Sequence, residues 1–116
     1  MSRIEVSMSE TAELTTPLIK ALNQTGGWAE RMNSGIARKG RYTVHLHGKG
    51  TADILFFPLN IHTMSVCCPI PVWIETKLGK YGQTTDQKLF QLKVEVLGHK
   101  YIMVRSIAEC FDALGL

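Results

Sequence analysis

A strand–helix–strand succession in the second half of the chain constrains the fold more than any other sequence feature. Residues 72–77, "VWIETK", begin as an apolar strand, residues 84–97 follow helical spacing behind a threonine cap, and residues 100–105, "KYIMVR", are typical of another strand. Two strands joined through a helix pair in parallel by a right-handed crossover. We therefore predict an α/β fold with a mixed central sheet flanked by helices.

The first half of the chain adds a helix and two further strands. Residues 9–25 have helical spacing, residues 41–47, "RYTVHLH", alternate like a half-buried strand, and residues 53–57, "DILFF", are typical of a short buried strand. The predicted order is α-β-β-β-α-β-α within a single domain, residues 1–116. We expect the second helix to bury four apolar side chains: Leu89, Leu92, Val96 and Leu97.

Composition excludes several classes of protein. Hydrophobic residues make up 45% and charged residues 20% of the chain, as in ordinary globular domains. The sequence has no apolar run of the ~20 residues needed to span a bilayer and does not begin like a secretory signal, so we expect a cytoplasmic protein. Three cysteines without framework spacing predict inert thiols rather than disulfides or a zinc site.

The segment 58–71 is a long insert between two predicted strands. It contains three prolines, which favour a loop, yet it is too apolar for a free loop. Two interpretations stay open: it pairs two copies of the chain, or it buries itself in its own core. In the stretch 58–73, "PLNIHTMSVCCPIPVW", the apolar side chains that need cover are Ile61, Met64, Val66, Ile70 and Val72.

Charged residues cluster at the ends of two neighbouring predicted strands. Glu75 and Lys77 lie two positions apart, so a strand would place them on one face, and Asp53 opens the preceding strand after the turn "GKGT". Two carboxylates at the mouth of a sheet repel each other unless a cation lies between them, and hard oxygen ligands select Mg²⁺ or Mn²⁺. Together with a lysine they suit phosphodiester hydrolysis. The alternative is a surface ion pair of Glu75 with Lys77, and a turn capped by Asp53.

Positive charge is concentrated ahead of these strands. The net charge of the chain is +3, and residues 31–50 contain five basic residues and no acid: Arg31, Arg38, Lys39, Arg41 and Lys49. A phosphate-contacting surface and a solvated loop with an exposed hairpin are equally compatible with this pattern. Lys80 lies in a second basic stretch, "KLGKYGQ".

These motifs, in this order, resemble those of a known nuclease group. "GTAD" before an apolar strand, "IETK", and a glutamine at the head of the next helix resemble the PD-(D/E)xK nuclease superfamily, and more narrowly its VRR-NUC (virus-type replication-repair nuclease) family. The likeness extends from about residue 10 to residue 114 and includes "RMNSG", "GQTTDQ" and "GHKYIMVRS". It implies a restriction-endonuclease-like fold and a Mg²⁺- or Mn²⁺-dependent deoxyribonuclease of the stand-alone phage type, working in DNA repair in the cytoplasm of a bacterial host.

The resemblance also implies a role for each matching residue. Asp53 and Glu75 correspond to the metal carboxylates of the family, and the carbonyl of Thr76 completes the coordination. Lys77 corresponds to the lysine that orients the attacking water. Gln87 corresponds to the glutamine that supports the site or the scissile phosphate.

The remaining expectations concern the first helix and the DNA. Glu13, rather than Glu10, corresponds to the first-helix glutamate that reaches the metal shell, and Ala52 replaces a proline that supplies no ligand. Similarity to Holliday-junction resolvases of the same superfamily makes an endonuclease for branched DNA the leading expectation, with a homodimer cutting two strands. The alternative is a catalytically inactive DNA-binding module. The expected DNA-binding residues are Arg38, Lys39, Arg41 and Lys80.

Overall fold

The computed structural model of the chain describes residues 11–32, 36–39, 42–45, 50–59 and 70–116. A π-helical turn, Thr11–Thr15, leads into the first helix, and the helices in chain order are α1 (Thr16–Asn23), α2 (Thr85–Val96) and α3 (Ile107–Leu114). The strands in chain order are β1 (Trp28–Arg31), β2 (Ile36–Lys39), β3 (Tyr42–His45), β4 (Ile54–Phe57), β5 (Val72–Thr76) and β6 (Lys100–Val104).

A four-stranded mixed sheet lies at the centre of the fold, with strand order β1-β4-β5-β6. The pairs β1–β4 and β4–β5 are antiparallel, whereas β5 and β6 pair in parallel and are connected through α2. The predicted strand–helix–strand unit and the predicted α/β class with a mixed sheet flanked by helices are therefore confirmed. Among the described residues, none of the helices combines the length and apolar character needed to cross a membrane.

The strand predicted at residues 41–47 is present as β3, but it does not belong to this sheet. Strand β1, "WAER", pairs with β4, whereas Tyr42–His45 pairs with Ile36–Lys39 in a separate two-stranded antiparallel ribbon. The reason is that β1 is a four-residue edge strand in which Ala29 alone is buried. Such a strand shows no alternation, so the longer alternating segment was mistaken for the first strand of the sheet.

Apolar side chains pack on both faces of the sheet. On one face, α1 and α3 cover the inward residues of the strands, and this core consists of Leu18, Leu22, Ala29, Ile54, Phe56, Val72, Ile74, Val104 and Cys110. On the other face, Val94 and Phe90 of α2 pack around Trp73 and Tyr101. Burial, with a smaller contribution from the charge of Glu109, raises the pKa of the Cys110 thiol to about 11, in accord with the inert thiol predicted for it.

Helix α1 starts late, at Thr16. Pro17 occupies its first turn, where a missing N–H costs no helical hydrogen bond, and the preceding turn is wider than an α-helix. The α-helix therefore occupies only residues 16–23 of the stretch 9–25 that helical spacing predicted. The helix ends before Gly26, whose φ of 94° is the left-handed conformation that glycine adopts readily.

The prediction for the buried face of α2 was also wrong. The four leucines and valines expected in the core are exposed: Leu89, Leu92, Val96 and Leu97. The side facing the sheet instead carries Phe90 and Val94, together with Gln87, which donates to Glu75 of the sheet. Because the sheet presents polar as well as apolar partners to this helix, its inward face is not its most apolar one.

The insert is described only at its ends. Residues 60–69 lie outside the described part of the chain, and so do Cys67 and Cys68. Ile70 is exposed, whereas Val72 is buried in β5 against the α1 face of the sheet. Val72 therefore belongs to the core and not to a surface available for pairing.

Candidate active site

The two predicted carboxylates lie at the same end of the β4–β5 pair. The register of these strands places Ile54 opposite Ile74. One residue further along, the same register brings Asp53 opposite Glu75. Directly opposed residues of an antiparallel pair have Cβ atoms about 4.5–5.5 Å apart, so the tertiary structure brings these two acids together.

Hydrogen bonds from Thr76 hold the carboxylate of Asp53. Its Oδ2 accepts from the main-chain N–H of Thr76 at 2.9 Å and from the Thr76 hydroxyl at 2.8 Å. Because the Thr76 hydroxyl donates to Asp53, the Thr15 hydroxyl, 2.7 Å away, donates to Thr76 in turn. Both threonines are buried, and this chain of hydrogen bonds connects the start of α1 to the carboxylate of Asp53.

Glu75 is buried and is positioned by the start of α2. Its side chain is 3% exposed, and its Oε1 accepts a 3.0 Å hydrogen bond from the side-chain nitrogen of Gln87. The Gln87 side-chain oxygen accepts from the Thr84 N–H at 2.8 Å, and the Thr84 hydroxyl accepts from the Gln87 N–H at 3.2 Å. This reciprocal pair is a capping box, so one glutamine both caps α2 and orients the glutamate.

The turn before Asp53 packs directly on the start of α2. Gly50 has a φ of 80°, and a Cβ placed on it would lie 2.3 Å from main-chain atoms of Asp86. Only glycine fits both the backbone conformation and the approach. The turn at Gly50 therefore brings the segment that leads to Asp53 against the helix that carries Gln87.

A buried tyrosine lies near the two carboxylates. Tyr101 of β6 receives a 3.1 Å hydrogen bond from Gln83, which also donates to Gln91 at 2.8 Å. Burial raises the pKa of Tyr101 to about 12; the Gln83 hydrogen bond lowers it in part, and the charges of Glu75 and Asp53 raise it further. Tyr101 is thus a neutral hydroxyl at physiological pH.

The other predicted site residues occupy different positions. Lys77 directly follows β5, where its N–H bonds to the Val104 carbonyl at 3.0 Å, and its side chain is partly buried. Glu13 is exposed on the π-helical turn, two residues before Thr15, which contacts the site. Lys80 is exposed in the turn that follows β5.

The structure describes four of the predicted residues in part or not at all. Glu10 and Arg41 lie outside the described residues. Arg38 and Lys39 belong to β2 of the separate ribbon, whose backbone alone is described. The expected DNA contacts of these residues stay predictions.

The burial of Glu75 bears on the alternative of a surface ion pair. A carboxylate that is 3% exposed and bonded to Gln87 is not a surface group. Burying a charged carboxylate is costly unless it is hydrogen-bonded or binds a cation. The structure therefore favours a positioned carboxylate over a solvated strand end.

The candidate metal ligands at this end of the sheet offer oxygen atoms. Across the described residues, no three His, Cys, Asp or Glu side chains group into a metal site. Asp53 and Glu75 supply two carboxylates, and the carbonyl of Thr76 could supply a third donor from the main chain. Oxygen donors of this kind fit Mg²⁺ or Mn²⁺ rather than a softer metal.

Sequence reasoning missed part of the support of this site. Thr15 carried no recognisable signal, since its contact with Thr76 joins positions 61 apart. Gly50 was noticed only as a turn residue. The threonine cap of α2 was predicted, and the structure places it at Thr84; the spacing "TTDQ" at 84–87 also matches the capping-box pattern, so the capping role of Gln87 could have been predicted.

Comparison with known proteins adds no family assignment: no family model, no curated protein and no solved structure matches the chain.

Proposed function

We propose that the chain is a Mg²⁺- or Mn²⁺-dependent deoxyribonuclease with a restriction-endonuclease-like fold of the VRR-NUC type. One observation carries the proposal: Asp53 and Glu75 end up opposite each other at one end of the sheet, each bonded to a donor that fixes it. The sheet order, with two antiparallel pairs followed by a parallel pair, is compatible with that fold.

The metal would be held by Asp53, Glu75 and the carbonyl of Thr76. When bound, it would neutralise charge on the phosphate and lower the pKa of a bound water. The protein's own task is to hold the carboxylates in place without reorganisation. Thr76 fixes Asp53 through two hydrogen bonds, and Gln87 fixes Glu75 through one.

Lys77 supplies the remaining catalytic group of the proposed site. It follows Glu75 by two residues at the end of β5, and its ammonium would orient the attacking water and stabilise negative charge on the phosphate. Glu13, on the turn that leads into α1, is the proposed outer support of the metal shell.

Binding of DNA would rely on charge and on a second subunit. The basic residues proposed to contact phosphates are Arg38, Lys39, Arg41 and Lys80. A homodimer would present two sites to two strands, and branched DNA is the proposed substrate.

A cleavage assay tests the activity directly. Labelled linear, flapped and four-way DNA would be incubated with the protein and Mg²⁺, Mn²⁺ or EDTA. We expect metal-dependent cleavage, strongest on four-way DNA, that Asp53→Asn and Glu75→Gln abolish and that Asp112→Asn, an exposed control on α3, retains. Binding without cleavage under all metal conditions would instead identify an inactive DNA-binding module.

Calorimetry tests the metal separately from the reaction. Titration with Mn²⁺ should show binding to the wild-type protein and to Asp112→Asn but not to Asp53→Ala. Circular dichroism of each variant would show that it is folded. Equal Mn²⁺ binding by a folded Asp53→Ala protein would refute the metal assignment.

A further inference from the structure

The outer face of α2 carries an apolar stripe that no part of the proposed site uses. Leu89, Leu92 and Val96 follow the spacing i, i+3, i+7 and are 59%, 61% and 78% exposed, respectively. They lie on the side of the helix opposite Val94 and Phe90, which pack on the sheet. We call these three residues the α2 stripe.

The α2 stripe has the spacing and scale of an interaction surface. Apolar residues at alternating intervals of three and four form the seam of paired helices. Leu97, 69% exposed, extends the apolar surface at one end. Exposed patches of about 300–600 Å², the scale that a few such side chains reach, commonly mark binding sites on monomers.

Charges beside the α2 stripe indicate what covers it. Along one flank, Lys88 and Glu95 are seven residues apart, and both are exposed. Along the other flank, Asp86 and Lys93 are also seven residues apart and exposed. Each flank therefore carries one positive and one negative charge, separated by about two helical turns.

This arrangement is self-complementary in one orientation only. When two identical helices pack antiparallel, equivalent flanks face each other, so Lys88 meets Glu95 of the other copy and Asp86 meets Lys93. When they pack in parallel, each flank of one helix faces the opposite flank of the other helix, five residues further along. Lys88 of one copy then faces Lys93 of the other. Like charges in that position disfavour the parallel pair.

We propose that a second copy of this chain docks on the α2 stripe as an antiparallel, two-fold symmetric helix pair. The two-fold axis crosses the helix pair midway between Leu89 and Leu92, so Leu89 of each copy packs against Leu92 of the other, and Val96 lies at each end of the seam. An isologous contact of this kind closes on itself, so it yields a dimer and not a filament. The inference needs no nuclease activity and does not use residues 60–69.

Equilibrium sedimentation over a wide range of protein concentration tests the dimer. The wild-type protein should reach twice the 13.0 kDa mass of the chain. Leu92→Glu places a charge on the seam and should weaken dimerisation by about 100-fold or more. Leu116→Glu is the matched control, since Leu116 is an exposed leucine outside α2, and it should leave the dimer intact. Circular dichroism would show that both variants are folded.

Charge reversal tests the orientation. Lys88→Glu should weaken the antiparallel dimer by roughly tenfold, because two symmetry-related attractions become repulsions. Adding Glu95→Lys should restore dimerisation, since the pair is then reversed but again complementary. The two substitutions leave the apolar seam unchanged.

Three results would overturn the inference. One is a wild-type protein that stays monomeric up to about 100 µM, because the α2 stripe would then not bind a second copy. Another is a dimer unaffected by Leu92→Glu, which would place the contact elsewhere. The third is tighter dimerisation of Lys88→Glu, which is the result that parallel packing requires.

Discussion

The hydroxyl oxygens of Thr15 and Thr76 lie 2.7 Å apart although the residues are 61 positions apart in sequence. The hydroxyl and the main-chain N–H of Thr76 both donate hydrogen bonds to the carboxylate of Asp53. These hydrogen bonds connect the start of α1 to the carboxylate of Asp53, the residue directly before β4. Removal of the Thr15 hydroxyl should therefore affect both the stability of the fold and the proposed site.

We predict that Thr15→Val lowers the free energy of unfolding by about 1 kcal/mol, because the buried Thr76 hydroxyl loses a donor while the volume of the side chain is kept. Urea unfolding measures the change. Thr15→Ser is the control, since it retains the hydroxyl. If the valine variant were as stable as the wild type, the hydrogen bond between the two threonines would contribute nothing measurable.

We predict that Gly50→Ala is considerably more destabilising than Gly79→Ala. Both glycines have a positive φ, which costs an alanine about 1 kcal/mol, but an added Cβ meets main-chain atoms of Asp86 only at Gly50. Thermal unfolding of the two variants isolates the effect of that contact. Equal losses would mean that the turn can move away from α2 without cost.

We predict that Lys77→Ala reduces the rate of DNA cleavage by at least about 100-fold, with little change in Mn²⁺ or DNA binding, because the proposed role of Lys77 is in the chemical step. Single-turnover kinetics at saturating protein separate this step from binding. Lys20→Ala, an exposed lysine substitution on α1, should cleave like the wild type. A Lys77→Ala enzyme with the wild-type rate would exclude the lysine from the reaction.

We predict that alanine at Arg38, Lys39 and Arg41 together makes DNA binding less dependent on salt. Each lost phosphate contact should reduce the log–log slope of affinity against salt by about one unit. Fluorescence anisotropy at several salt concentrations measures the slope. An unchanged slope would show that these side chains do not contact DNA.

Local sequence patterns were sufficient to predict the helices and strands whose signals lie within a few neighbouring residues. Helical spacing behind a threonine cap, between two apolar strands, was sufficient to predict the parallel β5–α2–β6 unit, because each of these signals lies within a few residues. Asp53 and Glu75 were also recognisable in the sequence, since each lies at one end of an apolar strand. Their positions predicted that they could meet at one end of the sheet, although a surface ion pair of Glu75 with Lys77 stayed open as an alternative.

Tertiary structure alone decided the features that depend on a distant partner. Strand β1 forms because its backbone pairs with β4, although its own four residues show no alternation of apolar and polar side chains. The inward face of α2 is set by Trp73, Tyr101 and Glu75 beneath it, so the helix buries Gln87 and Phe90 in part and exposes its leucines. The contact of Thr15 with Thr76 likewise required the fold, because local periodicity carries no information about which residues meet across 61 positions.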